Sequence, residues 1–151
     1  MIPTEDDLDR ILAVMTAAFD PAYGEAWTRR QVEDALLTGN CHYGLAYRQD
    51  QCAGFYLSRT AFDEEELLLL AVDPVFRRLG IGETLVSSFI QEAHQRGSKR
   101  LFLEMREGNP AEMLYVKTGF VPVGSRKNYY RGKSGNWFNA ITFTFRLDHS
   151  F

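Results

Sequence analysis

Arg77, Arg78, Gly80 and Gly82 form an R-x-x-G-x-G run between an apolar stretch at residues 67–72 and a segment of helical periodicity. Small residues let the backbone of a turn come close to a ligand. The free N–H groups of such a turn, and the positive end of a helix that follows it, favour an anion, most naturally a phosphate. The same spacing also makes a tight strand-to-helix turn that holds nothing. Two arginines beside the glycines, and a helix that begins without a gap, favour the phosphate. A nucleotide-hydrolase loop is disfavoured because Glu83-Thr84, not Lys-Ser/Thr, follows the second glycine; a dinucleotide fold is disfavoured because the third glycine is missing.

The elements that must position this turn can be read on either side of it. Residues 67–72 are unbroken apolar and end at Asp73-Pro74, as in a strand buried on both faces. Ile81, Leu85, Val86, Phe89, Ile90 and Ala93 recur at helical spacing, with a stop at Gly97. Near the start, Thr4 and Asp7 resemble an N-cap pair, and Leu8, Ile11, Leu12, Met15, Ala18 and Phe19 form a core-facing helical stripe. A loop at 20–27 leads to a second helix from Thr28 to about Gly39, with Val32, Leu36 and Leu37 inward. Residues 42–48 and 52–59 read as strands joined by Gln49-Asp50-Gln51, and residues 60–66 as a solvated acidic loop. His42, alone in a strand, is expected to be structural. A buried strand at 101–103 ends at Glu104; Asn109 and Pro110 read as the cap and first position of a helix closed by Gly119. Residues 120–123 and 140–147 form a final hairpin, with Ile141, Phe143, Phe145 and Leu147 inward and a long basic, aromatic connection at 126–138. The expected fold is α/β, a mixed sheet with helices on both faces.

The chain has 151 residues, 45% of them hydrophobic, which suits one domain, 1–151, with a real core. Net charge is −3, with no basic block, so no direct nucleic-acid partner is expected. Cys41 and Cys52 read as free thiols of a reducing compartment, and no His/Cys spacing suggests a metal. No apolar run is long enough to span a membrane and the first residues do not read as a signal peptide, so a cytoplasmic protein is expected.

The stretch VDPVFRRLGIGETLV resembles motif A of the GNAT superfamily of acetyl-CoA-dependent N-acetyltransferases. LFLEMREGNPAEMLYVKTGF and RKNYY resemble more narrowly the RimI-type ribosomal-protein alanine N-acetyltransferases of bacteria. The likeness runs from about residue 65 to 130. It implies a single-domain, mainly antiparallel sheet whose central parallel strands splay apart, with a first strand that this chain, having only residues 1–3 there, holds very short or not at all. It implies acetyl-CoA as co-substrate and no metal. The diphosphate would sit on backbone N–H groups of Arg78, Leu79, Gly80, Ile81, Gly82 and Glu83, with Arg77 or Arg78 adding charge. The pantetheine arm would pair with the strand edge at Leu70, Ala71 and Val72, and the N–H near Val72 would face the thioester oxygen.

The resemblance makes Glu104 the general base and Tyr115 the acid that protonates the leaving thiolate. On position alone, Glu104 serves equally as a strand-end carboxylate paired with Arg106 or a lysine, and Tyr115 as a half-buried helix tyrosine. Asn109 matches a coenzyme-contacting asparagine, yet lies six residues from Tyr115 where the family has seven. Trp27 and Tyr130 either line the acceptor groove or only anchor loops. Phe138-Asn139 stands where the family usually has Glu-Asp. The acceptor implied is a protein N-terminus, such as that of a small-subunit ribosomal protein. A small amine (polyamine, amino acid or drug) is the second reading, and a non-catalytic acyl-CoA-binding module the third. Either a monomer or a homodimer suits the chain.

Overall fold

A computed structural model describes residues 5–147. The expected Thr4 cap and the first strand at residues 1–3 lie outside the described residues. Helix α1 (Glu5–Ala18) is followed by a short 3₁₀ turn, Pro21–Tyr23, and α2 (Arg29–Leu37). Strands β1 (Cys41–Arg48), β2 (Gln51–Ala61) and β3 (Glu64–Val72) run to a second 3₁₀ turn, Pro74–Phe76, and α3 (Ile81–Gln95). Then come β4 (Arg100–Arg106), α4 (Glu112–Thr118), β5 (Val121–Arg131) and β6 (Trp137–Arg146). The sheet order is β1-β2-β3-β4-β6-β5, and every neighbouring pair is antiparallel except β3–β4.

Two cores cover the two faces. On one, α3 and α4 supply Leu85, Phe89 and Tyr115 against Tyr56, Leu101 and Phe143. On the other, α1 and α2 supply Ile11, Met15 and Leu36 against Phe55, Leu57, Leu69 and Ala71. Tyr56 goes one way and its neighbours Phe55 and Leu57 the other, as the period-2 alternation of a central strand requires. Thr28 caps α2 in a reciprocal box with Gln31. Leu37, expected inward, is 68% exposed, because the helix ends there. The β1–β2 turn needs only Gln49 and Asp50, both at positive φ, the type I′ geometry of a two-residue hairpin; Gln51 already belongs to β2.

Residues 60–66 are not a solvated loop. β2 runs to Ala61 and β3 starts at Glu64, leaving only Phe62 and Asp63 as the turn, with Arg59 opposite Glu66 and Ala61 opposite Glu64. Each of the three glutamates has its own arginine: Glu64 with Arg100, Glu66 with Arg59, and Glu65 with Arg96. Glu65 is fully buried and also accepts from Ser58 (2.8 Å) and Ser98 (3.3 Å). A buried carboxylate is tolerable only when so satisfied. Its partners come from β2 and from the turn after α3, which a local reading of the acidic run does not reveal.

The stretch at 126–138 is corrected too. β5 extends to Arg131 and β6 starts at Trp137, so the true connection spans 132–136. A bulge interrupts pairing between Arg126 and Tyr130, and Asn128 takes φ +53° there. The Asn128 N–H donates to Asn139 Oδ1 (3.1 Å), which fixes the bulge.

Candidate active site

The parallel pairing of β3 with β4 is short. Glu64 to Leu67 face Arg100 to Leu103, and there it stops. Residues 69–72 keep β2 on one side and have no strand pairing on the other. Asp73 N–H donates to Ala53 O on β2 (2.8 Å). Backbone groups alternate sides along a strand, so the N–H of Val72 faces the open side.

A cleft of about 670 Å³ opens on that side. Leu70, Ala71, Val72, Arg77, Arg78, Gly80, Ile81, Gly82, Glu83 and Asn109 all line it, together with Phe76, Leu114 and Tyr115. Leu79 does not. It turns instead into a separate groove against β1 and α3, and the flanking left-handed residues Arg78 (φ +65°) and Gly80 (φ +77°) explain its direction. The N-terminus of α3 carries no side-chain cap, unlike that of α2. Its first-turn N–H groups are therefore left for an anion. Gly82 has little room: a Cβ there would stand 3.0 Å from Leu114 Cδ2. Glu83, an anion beside the same helix end, is held by Lys117 (2.8 Å).

A smaller chamber, about 270 Å³, lies on the other side of the splay. Trp27, Glu66, Glu104, Tyr129 and Tyr130 line it. It meets the cleft at Leu70, Glu25, Asn109 and Tyr115, which border both. Glu104 ends up 10% exposed. One oxygen, Oε1, takes Arg126 Nη2 at 3.0 Å, whereas Oε2 is buried with no hydrogen-bond partner. The partner expected from position, Arg106, is elsewhere. Burial raises the Glu104 pKa; Arg126 opposes this and Glu66 adds to it.

Tyr115 is buried, with its ring edge-on to Phe120 (5.9 Å) and tilted on Phe143 (6.5 Å). Burial first, and Glu25 second, push its hydroxyl above the ordinary phenol value, so it holds its proton at neutral pH. Tyr130 donates to the backbone carbonyl of Glu104 (3.1 Å), joining β5 to the end of β4. Trp27 is half-buried; its backbone N–H donates to Met15 Sδ (3.0 Å) and its ring packs on the α1 core. It thus both anchors its loop and borders the chamber. His42 lines neither space.

Asn109 does not cap α4, which begins at Glu112. Its Oδ1 accepts from Ala111 N–H, two residues on, and closes an Asx turn ahead of the helix. Its Nδ2 donates to Glu25 (2.8 Å). Glu25 also pairs with the buried Arg106 (3.3 Å), whose guanidinium lies 3.7 Å from the centre of the Tyr23 ring. Phe138 stacks edge-on against Tyr23 (5.3 Å), and Asn139 bonds Glu107 (3.1 Å). Glu25, Glu66, Tyr129 and Arg126 were not foreseen as site residues. Glu25 and Arg106 are 81 positions apart, and nothing local signals their pairing.

The family model described as acetyltransferase (GNAT) family matches residues 8–120. Over 147 residues the chain is 37% identical to the [ribosomal protein bS18]-alanine N-acetyltransferase of Haemophilus ducreyi, covering 95% of this chain and 96% of that one. It is 39% identical over 92 residues to the Haemophilus influenzae protein of the same name, a match spanning 61% of this chain and 63% of that protein. Among solved structures, the ribosomal-protein-S18-alanine N-acetyltransferase of Escherichia coli superposes with a TM-score of 0.86 at 26% identity, over 100% of this chain and 94% of that one.

Proposed function

We propose that this chain, which belongs to the acetyltransferase (GNAT) family, moves the acetyl group of acetyl-CoA to the N-terminal α-amine of a protein. An N-terminal alanine, as in the ribosomal protein bS18 for which its relatives are named, is the acceptor we favour. The observation that carries the reading is the early end of the β3–β4 pairing, which opens a free strand edge between the uncapped α3 and the buried Glu104.

Acetyl-CoA supplies an activated thioester carbonyl and a thiolate leaving group. The N–H groups of residues 78–83 would hold its diphosphate, with the guanidinium of Arg77 or Arg78 beside it. The edge of Leu70, Ala71 and Val72 would take the amides of the arm as an added strand does. The Val72 N–H would stabilise negative charge on the carbonyl oxygen. Asn109 would border the arm where the cleft meets the chamber.

The acceptor amine would enter past Trp27 and Tyr130. Glu104 would take a proton from it: the unpartnered Oε2 is an acceptor, and its raised pKa brings it nearer the amine's value of about 8. Tyr115, proton-bearing at neutral pH, would deliver a proton to the thiolate. The Glu25, Glu66 and Glu104 carboxylates around the chamber suit an entering ammonium. The test is product mass after incubation with acetyl-CoA and an alanine-initiated peptide, beside its N-acetylated form, polyamines and free amino acids. Acetylation of the free peptide alone supports the reading; consumption only with small amines refutes it. No helix among the described residues is long and apolar enough to cross a membrane.

A further inference from the structure

We propose that Lys117 is a positioning residue of the coenzyme site: it pins the Glu83 carboxylate away from the first N–H groups of α3, which the diphosphate needs. This rests on the coenzyme placement proposed above.

The start of α3 carries its own competitor for those groups. Glu83 is the third residue of the helix after the cap position, Gly80. A glutamate or glutamine there ordinarily reaches back to the backbone N–H of the cap residue. In α2 of this chain it does: Gln31, third after Thr28, accepts from the Thr28 N–H at 2.8 Å. The same move in α3 would set a carboxylate on the Gly80 N–H, one of the groups assigned to the diphosphate. The positive end of the helix favours that carboxylate just as it favours a phosphate. Self-capping by Glu83 and coenzyme binding therefore compete.

The move is not made in this structure. α3 has no side-chain cap, and the Glu83 carboxylate takes Lys117 Nζ at 2.8 Å instead. Lys117 stands in the last turn of α4, where the helix end favours a cation. That turn is fixed: the N–H of left-handed Gly119 closes it onto the carbonyls of Tyr115 and Val116, and Leu114 presses on Gly82. Glu83 lines the coenzyme cleft and Lys117 does not, so the lysine reaches the ligand through the glutamate. The arginines that line the cleft do not replace it. Arg106 is taken by Glu25, and Arg77 and Arg78 form no ion pair among the described residues. With Lys117 70% and Glu83 51% exposed, the pair adds little to stability; its effect lies in where it leaves the carboxylate.

The experiment is a double-variant cycle read by calorimetric titration with coenzyme A. Lys117→Met should raise Kd about five- to tenfold, the scale of one helix cap set against the ligand. Glu83→Ala, which removes the competing oxygens, should lower Kd by about threefold. In the Glu83→Ala background, Lys117→Met should change Kd by less than about twofold. Lys117→Arg keeps the cation and should stay within about twofold of the wild type. In turnover, the Lys117→Met loss should fall on KM for acetyl-CoA and spare kcat. Thermal melting of the ligand-free variants checks that each folds. An equal Lys117→Met loss in both backgrounds overturns the inference, since Lys117 then touches the coenzyme or packs α4 on its own account. An unchanged Kd in Lys117→Met overturns it too. Both results leave the coenzyme cleft standing. A wild type that takes up no coenzyme A overturns the proposed function and this inference together.

Discussion

Replacing Glu104 by glutamine separates chemistry from structure. The side chain keeps its shape, so the lost stability is that of the Arg126 pair, and with Arg126 largely in solvent this is at most about 1 kcal/mol. Taking a charge out of a nearly buried site offsets part of that loss. A thermal melt should therefore shift by no more than a few degrees, the equivalent of about 1 kcal/mol in a chain of this size. Turnover should fall far more, by about 10² to 10⁴, the usual worth of a general base, or about 2.7 to 5.4 kcal/mol of barrier. The pH dependence has a definite sign. The base works when deprotonated, and burial raises its pKa, so wild-type kcat/KM should climb with pH through a limb displaced upward from that of an exposed glutamate. The variant should lose that limb and keep only the rise from deprotonation of the amine itself, near pH 8. Its deficit should be largest below that pH and shrink above it. An equal deficit at acid and alkaline pH refutes proton removal by Glu104 and leaves it a positioning role.

Tyr115→Phe should lower kcat by about 10² or more while coenzyme affinity changes little, because the ring contacts with Phe120 and Phe143 remain; stopped-flow turnover with equilibrium titration checks this. Gly82→Val puts side-chain atoms where the Cβ alone would press on Leu114, so calorimetry should show at least about a tenfold loss of coenzyme affinity. Arg96→Met strands the buried Glu65 carboxylate, and chemical denaturation should show a loss of about 3 to 5 kcal/mol. Arg59→Met, breaking the exposed pair with Glu66 across the same hairpin, should cost about 1 kcal/mol or less in the same measurement.

Features that local chemistry fixes were legible in the sequence. The α3 stripe from Ile81 to Ala93 obeys one period and the glycine turn needs residues free of Cβ; the eleven coenzyme residues came from the resemblance, and ten of them line one cleft. Leu79 is the exception, because its direction follows from the left-handed backbone on both sides of it. The splay of β3 from β4 came from resemblance, since nothing in an apolar run says where pairing ends. β5 was read too short because nearly all its side chains are exposed and a bulge breaks its period. The acidic run at 64–66 was misread because its partners are tertiary, with Arg96 31 positions from Glu65. Glu25 was invisible for the same reason. Its two partners, Arg106 and Asn109, meet it only once the sheet has formed.

The measurement that bears most directly on this reading is a crystal structure of the protein with coenzyme A bound. The diphosphate should lie against the backbone N–H groups of residues 78–83 at the head of α3, and the pantetheine arm should run along Leu70, Ala71 and Val72 with its sulfur toward Tyr115. Coenzyme density in the Leu79 groove or elsewhere, with this cleft filled only by solvent, would contradict it.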